Sequence, residues 1–234
     1  GLELVEEAFI QAGASWFDAA VVEGQWRESV PTEVARATGP ARALLAAERV
    51  ALNFLGHLSG IATLAAHYVR AVEGTGARIL DTRKTTPGLR GLEKQAVAAG
   101  GAGNHRFGLY DAVLIKENHI AIAGGILPAV ERVVRAKPDA EIEIECTSMR
   151  QVGEALTAGA DRLLLDNMDA SALSACVTLA RGAQERSVTL EASGGVTLQN
   201  VRRIAETGVD YISVGALTHS APALDVSMLL EPYK

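Results

Sequence analysis

The spacing of apolar positions changes along the chain and divides it into three stretches. Residues 1–12 set Leu2, Val5 and Phe9 on one helical side and Glu3, Glu6 and Glu7 elsewhere, and Gly13 closes that helix. Ser15–Val22, continuing through Trp26, alternates as strands do, and Pro31–Ala37 with the turn that follows predicts another. Leu44–Val72 is helical in pattern, with Val50, Leu55, Leu58, Ile61, Leu64 and Tyr68 on a wide apolar face. It is one long helix, or two broken near Gly60.

From Arg78 a strand–helix rhythm sets in. Strands are predicted at Arg78–Asp81, Ala112–Lys116, Glu141–Glu145, Arg162–Asp166, Ser187–Ala192 and Tyr211–Val214. Helices are predicted at Ile126–Ala136, Met149–Ala158, Ala170–Arg181 and Leu198–Glu206. Repeated β–α units give an open doubly wound parallel sheet or a barrel. No GxGxxG follows the first strand, which weakens a dinucleotide site. Polar residues at strand ends (Asp81, Lys116, Glu145, Asp166, Ser193) favour the barrel, where chemistry gathers at the C-terminal ends of several strands. Glu141, Glu143 and Glu145 share one strand face and Ile142, Ile144 and Cys146 the other. Glutamates turned inward need cations, so an internal charge network is expected.

Composition narrows the class. With 48% hydrophobic and 21% charged residues among 234, the chain is globular and large enough for one barrel and a small partner unit. Cys146 and Cys176 have no metal or disulfide spacing and read as buried small hydrophobes. The longest uncharged apolar run is read at Ile120–Val130, too short for a bilayer. A soluble, cytoplasmic protein with no nucleic-acid partner is expected from this and from the net charge of −6. Against that charge, Arg78–Lys116 holds seven Lys/Arg and three Asp/Glu. A cationic island in an acidic chain focuses small anions.

Candidate chemistry sits in that island. Arg83, Lys84, His105, Arg106 and Lys116 would converge if their loops met at one barrel mouth, and could hold a dicarboxylate or polyphosphate. Ser193-Gly194-Gly195 and Gly215-Ala216 follow the last two strands, where backbone N–H groups and a helix N-terminus can take a phosphate. Glu145 and Asp166 end adjacent strands. They could hold ribose hydroxyls or Mg²⁺, or pair with Lys84 and Lys116. Arg49, Asn53 and His57 share a helical stripe that is either solvated or brings Arg49 to an anion site, in this subunit or another.

The segments AERVALNFLGHLSGIAT, ILDTRKTTPGLR, GNHRFGLYDAVLIKENHI, LLLDNM, LEASGGV and VDYISVGALTHSAPALDVS, in this order, resemble the quinolinate phosphoribosyltransferase family. The resemblance implies an incomplete TIM-like α/β barrel (residues 51–223) and a partial open-faced α/β sandwich (residues 1–50, with 224–234 returning to it). It implies decarboxylating transfer of phosphoribosyl from phosphoribosyl pyrophosphate to quinolinate, with Mg²⁺. By the same resemblance Arg83, His105, Arg106 and Lys116 bind quinolinate, with Arg49 entering from the other subunit of a homodimer; assembly to a hexamer stays open. Lys84, Glu145 and Asp166 match residues around the ribose and metal-bound pyrophosphate, and Ser193, Gly194, Gly195, Gly215 and Ala216 match the 5′-phosphate loops. Ala98 and Ala102 depart from the family, which often has Arg and Gly there, and its members carry roughly fifty more residues at the start. Two competing readings are a barrel aldolase or isomerase acting on a sugar phosphate, with Lys116 as a Schiff base, and a non-catalytic relative linked to molybdenum transport.

Overall fold

The computed structural model describes residues 1–182 and 187–232. In chain order the elements are α1 (Leu2–Ala12), β1 (Trp16–Ala19), β2 (Ala35–Thr38), α2 (Ala41–Ala71), β3 (Arg78–Leu80), α3 (Arg90–Ala99), β4 (Val113–Ile115), α4 (Glu117–Ala123) and α5 (Ile126–Ala136). There follow β5 (Ile142–Cys146), α6 (Met149–Thr157), β6 (Arg162–Asp166), α7 (Ala170–Gly182), β7 (Thr189–Ser193), α8 (Val201–Ala205), β8 (Tyr211–Ser213) and α9 (Ala216–His219). They fall into two units, one of residues 1–66, 85–101 and 216–234, the other of 67–84 and 102–215.

In the first unit, Val5 and Phe9 of α1 pack with Leu44, Ala47, Ala51 and Leu55 of α2. Phe17 of β1, Val34, Val226 and Met228 pack against that cluster. Tyr233 and Lys234, at the end of the segment expected to return here, lie outside the described residues. β1 and β2 form a two-stranded antiparallel pair, Trp16 opposite Thr38. Both are shorter than expected. The chain does not run extended from Ser15 through Trp26: Gly24 turns with φ +76 and lies against the Ala99 carbonyl, where an added Cβ would stand 3.0 Å from the oxygen. Pro31 lacks the N–H a strand would donate, and β2 begins only at Ala35.

α2 is unbroken over 31 residues. Gly60 does not interrupt it. A Cβ there would lie 2.1 Å from the Pro222 carbonyl oxygen, and one at Gly56 2.8 Å from that of Leu224. Four residues apart, the two glycines lie on one helix face and let the C-terminal backbone come close, and Leu224 N–H donates to the Gly56 carbonyl at 2.9 Å. α2 also holds the longer uncharged apolar run. Val50–Val69 carries no Lys, Arg, Asp or Glu, exceeding residues 120–130, and the helix is long and apolar enough to cross a membrane. Its apolar side is buried within the protein, as Ala51, Ile61 and Ala65 show at 0% exposure.

In the second unit β3–β8 form one parallel six-stranded sheet in the order β3-β8-β7-β6-β5-β4. The strands run round in sequence from β4 to β8 and return to β3, so the barrel stays open between β3 and β4, as an incomplete barrel should. The free edge of β3 is partly covered: Gly103 N–H donates to the Ile79 carbonyl at 2.8 Å, and Asp81 N–H to the Gly103 carbonyl at 3.1 Å. Period-two alternation assigns the faces. Ile144, Cys146, Leu163, Leu165, Leu190 and Ile212 are buried on one face at 0% exposure. The registers set Glu143, Arg162, Leu164, Glu191, Tyr211 and Ser213 on the other. Both cysteines are free and buried, and Cys176 Sγ lies 3.1 Å from Met149 Sδ.

Predicted and observed strands of this sheet, β3–β8, agree within two residues. Helices Arg90–Ala99 and Glu117–Ala123 were not expected. The first buries Glu93 and Lys94, so polar residues occupy its inner face, and the second buries nothing. Neither shows the apolar period that reveals a helix. α8 begins at Val201 rather than Leu198 because Asn200 turns back on the preceding segment, its Oδ1 accepting Thr197 N–H at 2.8 Å.

Candidate active site

Every strand of the barrel sheet runs the same way, so one edge carries all the C-terminal ends. Asp81 with Arg83, Lys116, Glu145, Asp166, Ser193 and Gly215 all lie at or just past those ends. This is the convergence that parallel topology dictates.

At the β3 end, the coverage by Gly103 brings Asn104-His105-Arg106 alongside. Asp81, fully buried, accepts the His105 backbone N–H at 2.8 Å. The ring points into the sheet, with Nε2 3.3 Å from Glu143 and 3.5 Å from Glu191. Arg162 bridges the same two carboxylates, 3.5 Å from Glu143 and in direct contact with Glu191, and lies 4.4 Å over the Tyr211 ring. Ser213 Oγ donates to Glu191. The expected internal charge network therefore exists around Glu143, whereas Glu141 lies before β5 and is exposed.

Burial would lower the His105 pKa, but hydrogen bonds from the ring to Glu143 and Glu191, and their charges, raise it to about 9. Nδ1 meanwhile stands 2.7 Å from the Arg106 backbone N–H, a contact only a neutral ring can accept. The two indications conflict. Two charge-assisted contacts favour the charged ring by more than one neutral hydrogen bond favours the neutral one. Burial likewise pushes the Glu191 carboxyl up, but hydrogen bonds from His105 and Ser213 and the charges of His105 and Arg162 hold it below its ordinary value.

Burial, and then the neighbouring charge of Arg83, pull the Arg106 guanidinium below its ordinary value. Arg83 and Arg106 are thus close enough to repel. Arg106 also donates to the Ala112 carbonyl at 3.0 Å, just before β4. A cavity of about 120 Å³ lies here, lined by Asn104, His105, Arg106, Asp111, Glu143 and Arg162 among others. It is lined from the strand starts (Ala112, Glu141, Arg162), not from the ends that carry Lys116 and Asp166.

Lys116 caps α4 and pairs with Glu145 across adjacent strands. Glu145 stands two residues past Glu143 on the same face, about 7 Å along β5. Its pairing with Lys116 is one of the alternatives the sequence left open. Lys116 is 47% exposed beside a carboxylate, the opposite of the desolvated or cationic surroundings that activate a Schiff-base lysine. Asp166 stands in register with Ser193, and Asn167 donates to Asp166 at 2.6 Å. Asn167 itself is left-handed, φ 55, and its N–H donates to the Ser193 carbonyl at 2.8 Å. A Cβ on Gly194 would stand 2.2 Å from Asn167 Oδ1, so the two strand ends interlock. The glycine loops were expected to borrow a helix N-terminus. α8 starts six residues after Gly195 and spans five, and α9, opening at Ala216, spans four. Dipoles that short contribute little, and backbone N–H groups remain the anion donors.

Glu145 and Asp166 are partly exposed hard oxygen donors on neighbouring strand ends, the donor type that Mg²⁺ takes, and Glu145 is engaged by Lys116. His105, Glu143 and Glu191 also gather ligand atoms within 4.8 Å of one another, but the Arg162 guanidinium already lies against both carboxylates.

Arg49 is exposed on α2 with Glu48 3.8 Å away, and Asn53 is exposed too. His57, on the same stripe, turns to Glu93 at 2.9 Å. Sequence reasoning passed over Arg162 and Glu191. The period-two rule applied to RLLLD and TLEAS would have put Arg162 with Asp166 and Glu191 with Ser193.

The sequence pattern of the quinolinate phosphoribosyl transferase C-terminal domain matches residues 61–229, and that of the N-terminal domain residues 1–59. The chain is 47% identical over 196 residues to the probable nicotinate-nucleotide pyrophosphorylase (carboxylating) of Bacillus subtilis, which spans 83% of this chain and 66% of that one. It is 45% identical to the human nicotinate-nucleotide pyrophosphorylase (carboxylating), over 92% of this chain and 72% of the other. The crystal structure of the Ehrlichia chaffeensis nicotinate-nucleotide pyrophosphorylase superposes with a TM-score of 0.90 at 40% identity, covering 96% of this chain and 81% of that one. The chain thus spans just under two thirds of the length of the Bacillus subtilis relative.

Proposed function

Because the chain belongs to the quinolinate phosphoribosyltransferase family, we propose that it joins quinolinate to the phosphoribosyl group of phosphoribosyl pyrophosphate. The products are nicotinate mononucleotide, pyrophosphate and CO₂, in the synthesis of NAD. The observation that carries this reading is a single sheet edge with cations beside β3 and β4, carboxylates ending β5 and β6, and a glycine loop after β7. A diacid and a phosphorylated sugar need that division of charge.

In the proposal Arg83, His105, Arg106 and Lys116 hold the two quinolinate carboxylates and aim the ring nitrogen at the ribose C1 carbon. The nitrogen lone pair forms the new bond as the C1–O bond to pyrophosphate breaks, and the leaving electrons stay on that oxygen. Glu145 and Asp166 oppose the positive charge that grows on the ribose, and Lys84 takes the departing pyrophosphate. Mg²⁺, held by Glu145 and Asp166 through water and phosphate, would neutralise charge on the pyrophosphate. Ser193, Gly194, Gly195, Gly215 and Ala216 grip the 5′-phosphate. The pyridinium then draws the electrons of the C2–CO₂⁻ bond into the ring, CO₂ leaves, and a proton replaces it. A partner subunit supplies its own Arg49 to the diacid in a homodimer. Two free buried thiols suit a reducing compartment, the cytoplasm.

The test is pyrophosphate release with quinolinate, with nicotinate as control. Turnover of quinolinate alone is expected, because nicotinate leaves part of the cationic cluster unmatched. Arg106→Ala should lower kcat/KM for quinolinate by about a hundredfold or more while the fold survives. Release that is equal for both acids, or a folded Arg106→Ala with normal turnover, overturns the assignment.

A further inference from the structure

Glu93 lies in α3, fully buried, and is outside the sheet edge described above. A buried carboxylate is costly unless its oxygens are satisfied. Both are. Oε1 stands 2.9 Å from His57 Nε2 on α2, and Oε2 accepts the Thr86 backbone N–H at 3.1 Å. Arg90, one turn earlier in α3, donates through Nε to Thr85 Oγ1 at 3.1 Å. Two side chains of α3 therefore grip consecutive residues of the turn after Lys84. Immediately before it, Lys84 N–H donates to Thr82 Oγ1 at 3.1 Å, fixing the backbone that presents Arg83 and Lys84.

We infer that Glu93 is a positioning residue: its buried carboxylate, braced by His57, holds the Thr85–Thr86 backbone and so aims Arg83 and Lys84. An internal hydrophobic position in α3 would have sufficed for packing alone, as Ala96 and Val97 provide. A carboxylate there leaves two acceptors to be matched, and one is matched by the turn. The inference rests on the proposed roles of Arg83 and Lys84 in substrate binding, and only for its kinetic consequence.

A pair of near-isosteric variants separates positioning from packing. Glu93→Gln keeps an oxygen for the Thr86 N–H and an amide for His57, whose ring can change tautomer. Glu93→Met keeps volume but leaves Thr86 without its acceptor. Glu93→Met should raise KM for quinolinate and phosphoribosyl pyrophosphate about tenfold with kcat changed less, and Glu93→Gln should stay within about threefold of the parent. Hydrogen exchange at the Thr86 amide, measured without substrate, should quicken in Glu93→Met and not in Glu93→Gln. Should Glu93→Met fail to fold, Arg90→Ala, which frees Thr85 from α3, is expected to raise the same KM values several-fold, about threefold or more. A folded Glu93→Met with unmoved KM values overturns the inference even if Thr86 is deprotected, and so does an unmoved KM in Arg90→Ala when Glu93→Met does not fold. If the parent protein does not turn over quinolinate, the functional reading fails by itself, and Thr86 exchange alone decides the clamp.

Discussion

His105 shows how one side chain takes its properties from strands far away in sequence. Its pKa of about 9 comes from Glu143 on β5 and Glu191 on β7, neither of which a local motif reveals. The sign follows from the direction. A folded pKa raised above the ordinary 6.5 gives stability that is full below about pH 6.5 and fades as pH rises through about 9. That contribution is at most about 3 kcal/mol at 1.36 kcal/mol per pH unit. An NMR titration should put the His105 midpoint near 9 and lower it in Glu191→Gln. A midpoint near 6.5 in the parent would show instead that the Arg106 N–H holds the ring neutral. The identities of Arg83, His105, Arg106 and Lys116 were legible as a motif. Their partners Arg162 and Glu191 were not, because pairing across a sheet depends on which strands become neighbours.

The repeating β–α units of the second half were legible at the scale of elements because each strand is a short apolar run and most helices carry an apolar stripe. α3 was hidden by its buried Glu93 and Lys94, polar residues kept inside by partners. α2 illustrates the opposite difficulty: Gly60 looks like a breaker and is a close contact instead. Replacing glycine by alanine inside a helix ordinarily gains about 0.5–1 kcal/mol. At Gly60 the new methyl meets a backbone carbonyl that cannot rotate away, and overpacking of this kind costs about 1–3 kcal/mol. Gly60→Ala should therefore shift the urea midpoint downward. Gly153→Ala in α6, where nothing among the described residues lies within 4 Å, should shift it upward. Midpoints that move the same way for both would contradict the close approach.

At the scale of the whole molecule, the cation to account for is Arg49. Arg49 is exposed, with Glu48 3.8 Å away. If it serves a neighbouring subunit, Arg49→Ala and Arg106→Ala damage different halves of each site. Mixing the two inactive variants under subunit exchange should then restore up to about a quarter of parental activity, since half the dimers are hybrid and each hybrid regains one intact site. No recovery, with hybrids demonstrated by mass, would rule out a role for Arg49 in the neighbouring subunit's site.

The opening between β3 and β4 also decides where the chain tolerates interruption. Each backbone ladder of the barrel sheet joins strands on one side of that opening or runs through the β3–β8 pair. The exposed turn at Phe107, Leu109 and Tyr110 lies in the connection between α3 and β4 and belongs to none of the sheet's strands. An insertion or a nick there would leave the sheet's hydrogen bonding whole while uncoupling Arg106 from Lys116. Cohesion of the scaffold and alignment of its charges are therefore separable properties, carried by different stretches of the same polypeptide.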